Sequence, residues 1–242
     1  MTLATTLKQR IRAREVVVSL RISLTSDRDE VERALGQGDY DFIYVDGQHT
    51  PFSDEQLVAF CGVAEELGLP VQFRIPHTRQ PHRIGRFLDM GLSGILVPEV
   101  VEDATVDEAV AQCYYPQEGR RSWGGTSRRR FDPADPPGRL EYAAWWNEQV
   151  VLGIQLESVV GITRARALSK PGVDYVAFGP NDLLFSLEAH PHFPLRTVDA
   201  CMANVAEQLA DAGTPLGMAV VTDVDDRGKY LDMGVTVFQE TP

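Results

Sequence analysis

Residues 41–75 read DFIYVDGQHTPFSDEQLVAFCGVAEELGLPVQFRI, and this stretch contains one complete repeat of the pattern that decides the fold. Its two ends, DFIYVD and PVQFRI, are short apolar runs typical of buried strands. Between them, SDEQLVAFCGVAEELG has the periodicity of an amphipathic helix and ends in glycine, which tolerates the left-handed conformation at a helix end. A helix between two buried strands predicts a parallel βαβ unit.

The same alternation runs along the rest of the chain and predicts a barrel. Strand-like runs occupy residues 15–22, 41–46, 70–75, 94–100, 150–157, 174–180, 215–221 and 235–240. Helical patterns occupy residues 27–38, 53–68, 81–91, 103–115, 159–170, 197–213 and 223–234. Eight strands separated by helices in 242 residues fit a single (β/α)8 TIM barrel over residues 1–242 better than an open doubly wound sheet.

Three features depart from a minimal barrel. Residues 2–13 predict an extra helix under the barrel floor, and residues 114–146 are too long and too rich in Pro, Gly and Arg for a simple connection. No full eighth helix follows the last strand. We therefore expect exposed apolar residues on its outward side, Val235 and Val237, or Phe238 in the other register, unless the N-terminal helix or a second subunit covers them. We favour a second subunit.

Composition excludes several classes of protein. Lys and Arg total 23 against 35 Asp and Glu, a net charge of −12, which excludes a nucleic-acid binder that works through bulk positive charge. A hydrophobic fraction of 43% is typical of a folded domain, and the longest apolar runs are far shorter than the roughly 20 residues of a membrane helix. The N-terminus lacks the apolar core of a secretory signal, and three separated cysteines favour a reducing cytoplasm.

Polar residues stand where the predicted strands end. In a barrel the active site forms at the carboxyl ends of the strands. A pair of carboxylates there can hold Mg²⁺ or Mn²⁺, an arginine suits an anionic substrate, and a histidine can move a proton near neutral pH. The residues that follow this pattern are Asp46, His49, Arg74, Gln155, Glu157, Asn181 and Asp182.

Each of these residues also has a structural interpretation. Asp182 precedes LLFSL, so capping the helix that follows is an alternative to binding a metal. Arg74 can pair with a carboxylate such as Asp46, and His49 can be an ordinary surface residue. The functional interpretation gains weight because complementary groups converge on one end of one barrel.

Six strings carry a resemblance to a known family. They are DYDFIYVDGQHTP, FRIP, LDMGLSGILVPEV, YYPQEGRRSWGG, IQLES and FGPNDL, in that order between about Asp39 and Gly234. The chain resembles the HpcH/HpaI aldolases, which are metal-dependent (class II) pyruvate aldolases. The resemblance implies a lyase that cleaves or forms a carbon–carbon bond in a 4-hydroxy-2-oxo acid, from pyruvate enolate and an aldehyde. It also implies a divalent ion (Mg²⁺, Mn²⁺ or Co²⁺) and a homo-oligomer, either a trimer or a hexamer.

The resemblance assigns catalytic roles by position. Glu157 and Asp182 match the metal ligands, and His49 matches the base, which acts through water at the metal site. Arg74 matches the arginine that holds the keto oxygen and stabilises the enolate. Asp89, in FLDMG, matches the carboxylate that orients the histidine.

The resemblance also assigns substrate-binding residues. Gln155 matches a polar neighbour of the metal site. The backbone from Gly179 through Asn181 to Asp182 matches the site that receives the pyruvate carboxylate through amide donors. Arg121 is the residue of the arginine-rich segment with the best match to the family, and it is assigned to substrate binding.

Some residues depart from the family pattern. Gln48 stands where the family has Glu, which removes a negative charge near the base and is expected to lower the pKa of His49 or alter its water network. Arg120 and Arg128–Arg130 either face the mouth of the site or form a solvated or subunit-contacting loop. His190 and His192 have a spacing seen in zinc sites but lack a third ligand.

Two classes of function therefore stay open. The first is a pyruvate-dependent carbon–carbon lyase. The second is a divergent barrel of the same family that binds a 2-oxo acid but performs decarboxylation or ester cleavage, or only senses the ligand.

Overall fold

The structure is a computed structural model that describes residues 5–124, 135, 137–221 and 227–241. Eight parallel strands close into a barrel in sequence order, with β8 paired to β1. The strands are β1 (Val17–Arg21), β2 (Phe42–Asp46), β3 (Val71–Arg74), β4 (Gly94–Val97), β5 (Val151–Leu156), β6 (Tyr175–Phe178), β7 (Leu216–Val221) and β8 (Val235–Glu240). This confirms the predicted (β/α)8 fold.

Helices surround the barrel. They are α1 (Leu7–Arg12), α2 (Arg28–Leu35), α3 (Asp54–Glu66), α4 (Ile84–Asp89, after the short 3₁₀ turn Pro81–Arg83), α5 (Asp103–Cys113), α6 (Arg139–Asn147), α7 (Val159–Thr163), α8 (Ala165–Leu168), α9 (Pro180–Ala189), α10 (Val198–Leu209) and α11 (Arg227–Asp232). Side-chain capping boxes begin α1, α2 and α3, at Thr6, Asp27 and Ser53. No helix among the described residues is both long and apolar enough to cross a membrane.

The predicted floor helix is present as α1. Ile11 of α1 belongs to the cluster that fills the barrel interior together with Val17 and Phe42. Lys8 is buried beside it, where its Nζ donates to Tyr114 Oη and to the carbonyl of Val150, both at 2.9 Å. The floor is therefore closed by packing and by a satisfied buried ammonium, since an unpaired one would be costly.

The expectation of an exposed apolar face on β8 was wrong. Val235 and Val237 are buried, and the ring of Phe238 is fully buried in the main core. The guanidinium of Arg227, from α11, lies 5.8 Å from the Phe238 ring centroid and also bonds the Glu240 carboxylate. The face of β8 therefore gives no reason for a second subunit, and the homo-oligomer stays an expectation from the resemblance.

Two helices were missed in the sequence. The helix α6 lies inside the segment expected to be irregular, and α9 begins where the sixth strand was expected to end. Pro180 occupies the first turn of α9, a position that suits proline because the amide hydrogen there has no helical partner. Residues Arg128–Arg130 lie outside the described part of the chain.

Candidate active site

The carboxyl ends of β2, β3 and β5 bring several of the predicted residues together. Asp46 and Arg74 are the last residues of β2 and β3 and are direct partners in the strand register. Gln155 lies near the end of β5, and Glu157 follows that strand directly. Gly179 comes directly after β6 and is the N-cap of α9. The fold thus places these polar groups around one end of the barrel, as expected for this architecture.

Arg74 is held rigidly by its neighbours. It is 7% exposed, and its Nε and Nη2 donate to the two oxygens of Asp46 at 2.9 and 2.5 Å. Its third contact is from Nη1 to Gln155 Oε1 at 3.4 Å. The ion pair with Asp46 that the structural interpretation predicted is therefore present. It fixes the guanidinium with Nη1 directed toward β5. Burial alone would raise the pKa of Asp46, but the hydrogen bonds from Arg74 bring it below its ordinary value.

One carboxylate oxygen of Glu157 accepts a hydrogen bond, and the other has no hydrogen-bond partner. Its Oε1 accepts a hydrogen bond from the backbone N–H of Glu99 at 2.8 Å, whereas Oε2 is buried without a hydrogen-bond partner. Burial raises the pKa of this carboxyl to about 7, with Asp182 adding to the rise and Arg74 opposing it. A buried carboxylate oxygen without a donor is costly, so this atom is suited to a cation.

The absence of a side chain at position 179 makes room for these groups. A Cβ atom there would lie 2.2 Å from Glu157 Oε2 and 2.6 Å from Gln155 Nε2, so only glycine fits. Asn181 and Asp182 follow in the first turn of α9 and are exposed. No side chain caps this helix, so a capping role does not account for Asp182.

The residues 157 and 182 fit a divalent cation of the Mg²⁺ type. They supply two carboxylates, one with an orphaned buried oxygen, and no His or Cys at either position. A site with only a few oxygen ligands suits an ion such as Mg²⁺, which keeps several of its bound waters. Within the described ranges, no group of three or more His, Cys, Asp and Glu forms a cluster that could hold a metal ion by itself.

His49 and Gln48 lie in the loop after β2. His49 is exposed, and no hydrogen bond joins its ring to another described residue. The backbone N–H of Gln48 donates to Asp46 Oδ1 at 2.9 Å, while its side-chain Oε1 is buried without a partner. The loop therefore places the predicted base next to the strand end that carries Asp46.

Asp89 and Arg121 are not brought to this cluster. Asp89 ends α4, and Arg121 Nη2 bonds its Oδ1 at 2.5 Å. Arg121 is 2% exposed, and its guanidinium lies 4.3 Å from the ring centroid of Trp146 and 4.8 Å from that of Tyr115. In the described part of the chain Asp89 makes no ion pair with His49. Asp89 closes α4 ahead of β4, whereas Arg74 is at the carboxyl end of β3, so the pair lies away from the strand ends that carry Arg74 and Glu157.

Two neighbours of the site were missed in the sequence. Glu99 was placed inside a strand, but β4 ends at Val97, and Glu99 has a positive φ of 51° with its amide directed at Glu157. A non-glycine residue in this conformation is uncommon and marks a constrained turn. Arg21 ends β1, and its Nη2 lies 3.6 Å from Asp46 Oδ2. Arg21 could have been found in the sequence, because it stands near the end of the first predicted strand.

Because the pKa of the Glu157 carboxyl is raised, we expect the stability of the metal-free chain to depend on pH. Its pKa is about 7 when folded against 4.5 for the ordinary group. Between these values the folded chain holds a proton that the unfolded chain has released, so stability falls as the pH rises, by about 3 kcal/mol in total. We expect Glu157→Gln to remove this fall. Calorimetric unfolding in chelator at about pH 5 and about pH 8 tests it, and an equal fall in parent and variant would contradict it.

Comparisons with known proteins agree with this architecture. The family model for HpcH/HpaI aldolase/citrate lyase matches residues 24–240. The 5-keto-4-deoxy-D-glucarate aldolase of Salmonella gallinarum is 30% identical over 207 residues, covering 84% of this chain and 77% of that protein. A protein of the same name from Escherichia coli is 30% identical over 208 residues, with the same coverage.

Solved structures share the fold over nearly the whole chain. The HpcH/HpaI aldolase from Desulfitobacterium hafniense DCB-2 superposes with a TM-score of 0.85 at 25% identity, covering 99% of this chain and 91% of that one. Citrate synthase SbnG has the same fold, with a TM-score of 0.79 at 23% identity over 98% of this chain and 90% of that one. The predicted resemblance and enzyme class, a class II aldolase, are confirmed at the level of the family. The chain belongs to the HpcH/HpaI aldolase/citrate lyase family.

Proposed function

We propose that this chain is a metal-dependent lyase that cleaves or forms the C3–C4 bond of a 4-hydroxy-2-oxo acid, with pyruvate and an aldehyde as the fragments. The observation that carries the proposal is the free, buried Oε2 of Glu157, close to a guanidinium fixed by Asp46. The site thus combines a ligand for a cation with a hydrogen-bond donor in a fixed position. Both a cation and such a donor stabilise the negative charge of an enolate.

Glu157 and Asp182 would hold the divalent ion, Mg²⁺, Mn²⁺ or Co²⁺. A bound ion of this kind supplies Lewis acidity toward the oxygens of a 2-oxo acid, which makes the neighbouring C–H bonds more acidic. Because position 179 has no side chain, the backbone of Gly179 lies directly beside the buried Glu157 Oε2 on the side of β6. The backbone amides of Asn181 and Asp182, at the start of α9, are suited to the carboxylate of the 2-oxo acid.

Arg74 stabilises the negative charge that develops on the substrate. Two of its donors are committed to Asp46, and only Nη1 is directed to the weaker contact with Gln155. In the reaction Nη1 faces the keto oxygen as it becomes an enolate oxygen. Because Asp46 already fixes the guanidinium, no side-chain reorganisation is needed at that moment.

His49 moves the proton. In the direction of bond formation its ring accepts, through a water molecule at the site, a proton from the methyl carbon of pyruvate, and the electron pair of that C–H bond becomes the enolate. The enolate carbon then attacks the aldehyde carbon, and the aldehyde oxygen takes the proton back from His49 through water to become the 4-hydroxyl, which returns the imidazole to its neutral form. Cleavage runs through the same steps in reverse.

Exchange of the pyruvate methyl protons in D₂O, followed by NMR in the presence of Mg²⁺, tests the proposal. Exchange requires removal of a methyl proton and needs no aldehyde. We expect exchange by the parent chain. Binding of pyruvate without exchange would overturn the lyase and favour the second class, a divergent barrel that binds a 2-oxo acid for another purpose.

His49→Ala is expected to abolish that exchange while metal and pyruvate still bind, because the carboxylates hold the ion without the imidazole. His192→Ala is the matched control, since His192 is exposed beyond the far end of α9. Exchange at the parental rate in His49→Ala would show that another group is the base. Loss of exchange in both variants would show that the effect is not specific to position 49.

A further inference from the structure

The turn that follows β4, residues 98–100, has a strained backbone beside the proposed metal ligand, and we call it the Glu99 turn. Glu99, at its centre, has a φ of 51°, a region that non-glycine residues rarely adopt. Its side chain is exposed and makes no hydrogen bond or ion pair with another described residue. The side chain of Glu99 therefore does not account for the strain, and contacts of the backbone must hold the turn.

Three neighbouring elements hold the backbone of the Glu99 turn. The hydroxyl of Thr78, in the loop after β3, donates to the carbonyl of Glu99 at 3.3 Å. The N–H of Val100 donates to the carbonyl of Gln155 on β5 at 3.0 Å. On the side of α7, a Cβ atom at Gly161 would lie 2.9 Å from the carbonyl oxygen of Val100, so this helix packs directly against the turn. The turn is therefore fixed from three sides.

The Glu99 turn holds the carboxylate of Glu157 in one orientation. The backbone N–H of Glu99 donates to Oε1 at 2.8 Å, and the backbone of Gly179 lies beside Oε2. Glu157 is 4% exposed. For both of its oxygens to bind one ion, Oε1 would have to leave the amide of Glu99, and an N–H left without an acceptor away from water is costly. Glu157 therefore offers a cation one oxygen, Oε2.

We propose that the Glu99 turn sets the metal preference of the site, because it restricts Glu157 to one oxygen and so favours Mg²⁺ over Ca²⁺. This rests on the metal site of the proposed function. Ca²⁺ takes about six to eight oxygen ligands in flexible geometry and readily uses both oxygens of a carboxylate. Mg²⁺ keeps several waters and needs only one or two carboxylates. A carboxylate held to one oxygen thus deprives Ca²⁺ of a ligand and leaves Mg²⁺ unaffected.

Two substitutions at position 99 test the proposal, because both remove the carboxylate and only one disturbs the backbone. Asparagine tolerates a positive φ, whereas a β-branched valine does not. Titration calorimetry measures the dissociation constants of Mg²⁺ and Ca²⁺ without substrate, and their ratio gives the preference. We expect Glu99→Asn to keep the parental ratio. Glu99→Val should shift it toward Ca²⁺ by about 10-fold or more, the effect of losing a hydrogen bond to a charged group.

Thr78→Val tests the turn without changing position 99. It removes the hydroxyl that holds the carbonyl of Glu99, and we expect a shift toward Ca²⁺ of about 2- to 10-fold, the effect of one neutral hydrogen bond. Thr78→Ser keeps a hydroxyl and should restore the parental ratio. Thr163→Val is the matched control, since it removes a hydroxyl that donates to the carbonyl of Val159 within α7. It should leave the ratio unchanged.

The ratio separates metal preference from general damage, because a disturbed site weakens the binding of both ions. An unchanged ratio in Glu99→Val would overturn the proposal, and so would an equal shift in Glu99→Asn or Thr163→Val. If Glu99→Val binds neither ion, the ratio in Thr78→Val decides: a shift toward Ca²⁺ supports the proposal and an unchanged ratio overturns it.

Methyl-proton exchange by the parent is scored separately from these titrations. Exchange with an unchanged ratio in the variants overturns only the role of the Glu99 turn. A shifted ratio without exchange overturns the lyase and leaves the role of the turn intact. If the parent binds neither ion, the metal site and the role of the turn are both overturned.

Discussion

Glu157→Ala is expected to abolish divalent-ion binding. The substitution removes the buried Oε2 that has no partner in the protein and leaves only Asp182, which is exposed. Altering a residue that merely orients a ligand costs about 10- to 100-fold in metal affinity, so removing a ligand should cost more than about 100-fold. Titration calorimetry with Mn²⁺ or Mg²⁺ measures the affinity of parent and variant directly.

Two further variants make this result interpretable. Glu157→Gln keeps an oxygen for the amide of Glu99 while losing the negative charge, so it should fold as the parent does and still bind the ion weakly. Glu99→Gln removes a nearby carboxylate but keeps the backbone N–H that holds Glu157, so it should retain most of the affinity. If Glu157→Ala binds the ion with the parental affinity, Glu157 is not a metal ligand. If Glu99→Gln loses as much affinity as Glu157→Ala, the ion is held on the side of β4.

The strands were predictable because their local pattern and their tertiary role agree. Buried parallel strands read as short apolar runs wherever they occur, and all eight runs in the sequence contain an observed strand. Their ends were less predictable. The fourth strand was expected to continue to Val100, but Pro98 lacks the amide hydrogen that a strand ladder needs, and β4 ends at Val97.

The site was predictable to the extent that it depends on strand ends. Arg74, Gln155, Glu157 and Gly179 converge because parallel strands of a closed barrel deliver their carboxyl ends to one place. The pairing of Arg74 with Asp46 was one of two open interpretations, and only coordinates show that the same guanidinium also approaches Gln155. Spacing in the sequence does not determine which of a guanidinium's five donors stay free.

Long-range pairs were beyond the reach of the sequence. Asp89 bonds Arg121 across 32 positions, because the segment after α5 packs its arginine between Trp146 of α6 and the end of α4. The contact between Arg227 and the Phe238 ring follows in the same way from the packing of α11 against β8. Such contacts follow from the packing of elements and not from the periodicity of any one of them.

Arg74→Lys is expected to lower turnover about 10²- to 10³-fold, the typical cost of losing one donor to a developing oxyanion. Lysine keeps the positive charge but has no planar fork. Its single nitrogen cannot bond both oxygens of Asp46 and also present a fixed donor to the substrate. The affinity for pyruvate should change much less than turnover, because the bond matters most once the oxygen carries charge. Steady-state kinetics with pyruvate and one aldehyde gives both quantities.

Arg10→Lys distinguishes a catalytic effect from the cost of weakening an ion pair. Arg10 bonds Asp41 at 2.5 Å just before β2, so its replacement weakens a more exposed ion pair at the opposite end of the same strand. We expect Arg10→Lys to lower the melting temperature slightly and to leave turnover nearly unchanged, whereas Arg74→Lys should lower turnover far more than it weakens folding. If Arg74→Lys keeps activity within a few-fold of the parent, the guanidinium serves only to pair with Asp46. Stabilisation of the enolate would then need another donor, and Gln155 would be the nearest candidate because it contacts Nη1 of Arg74.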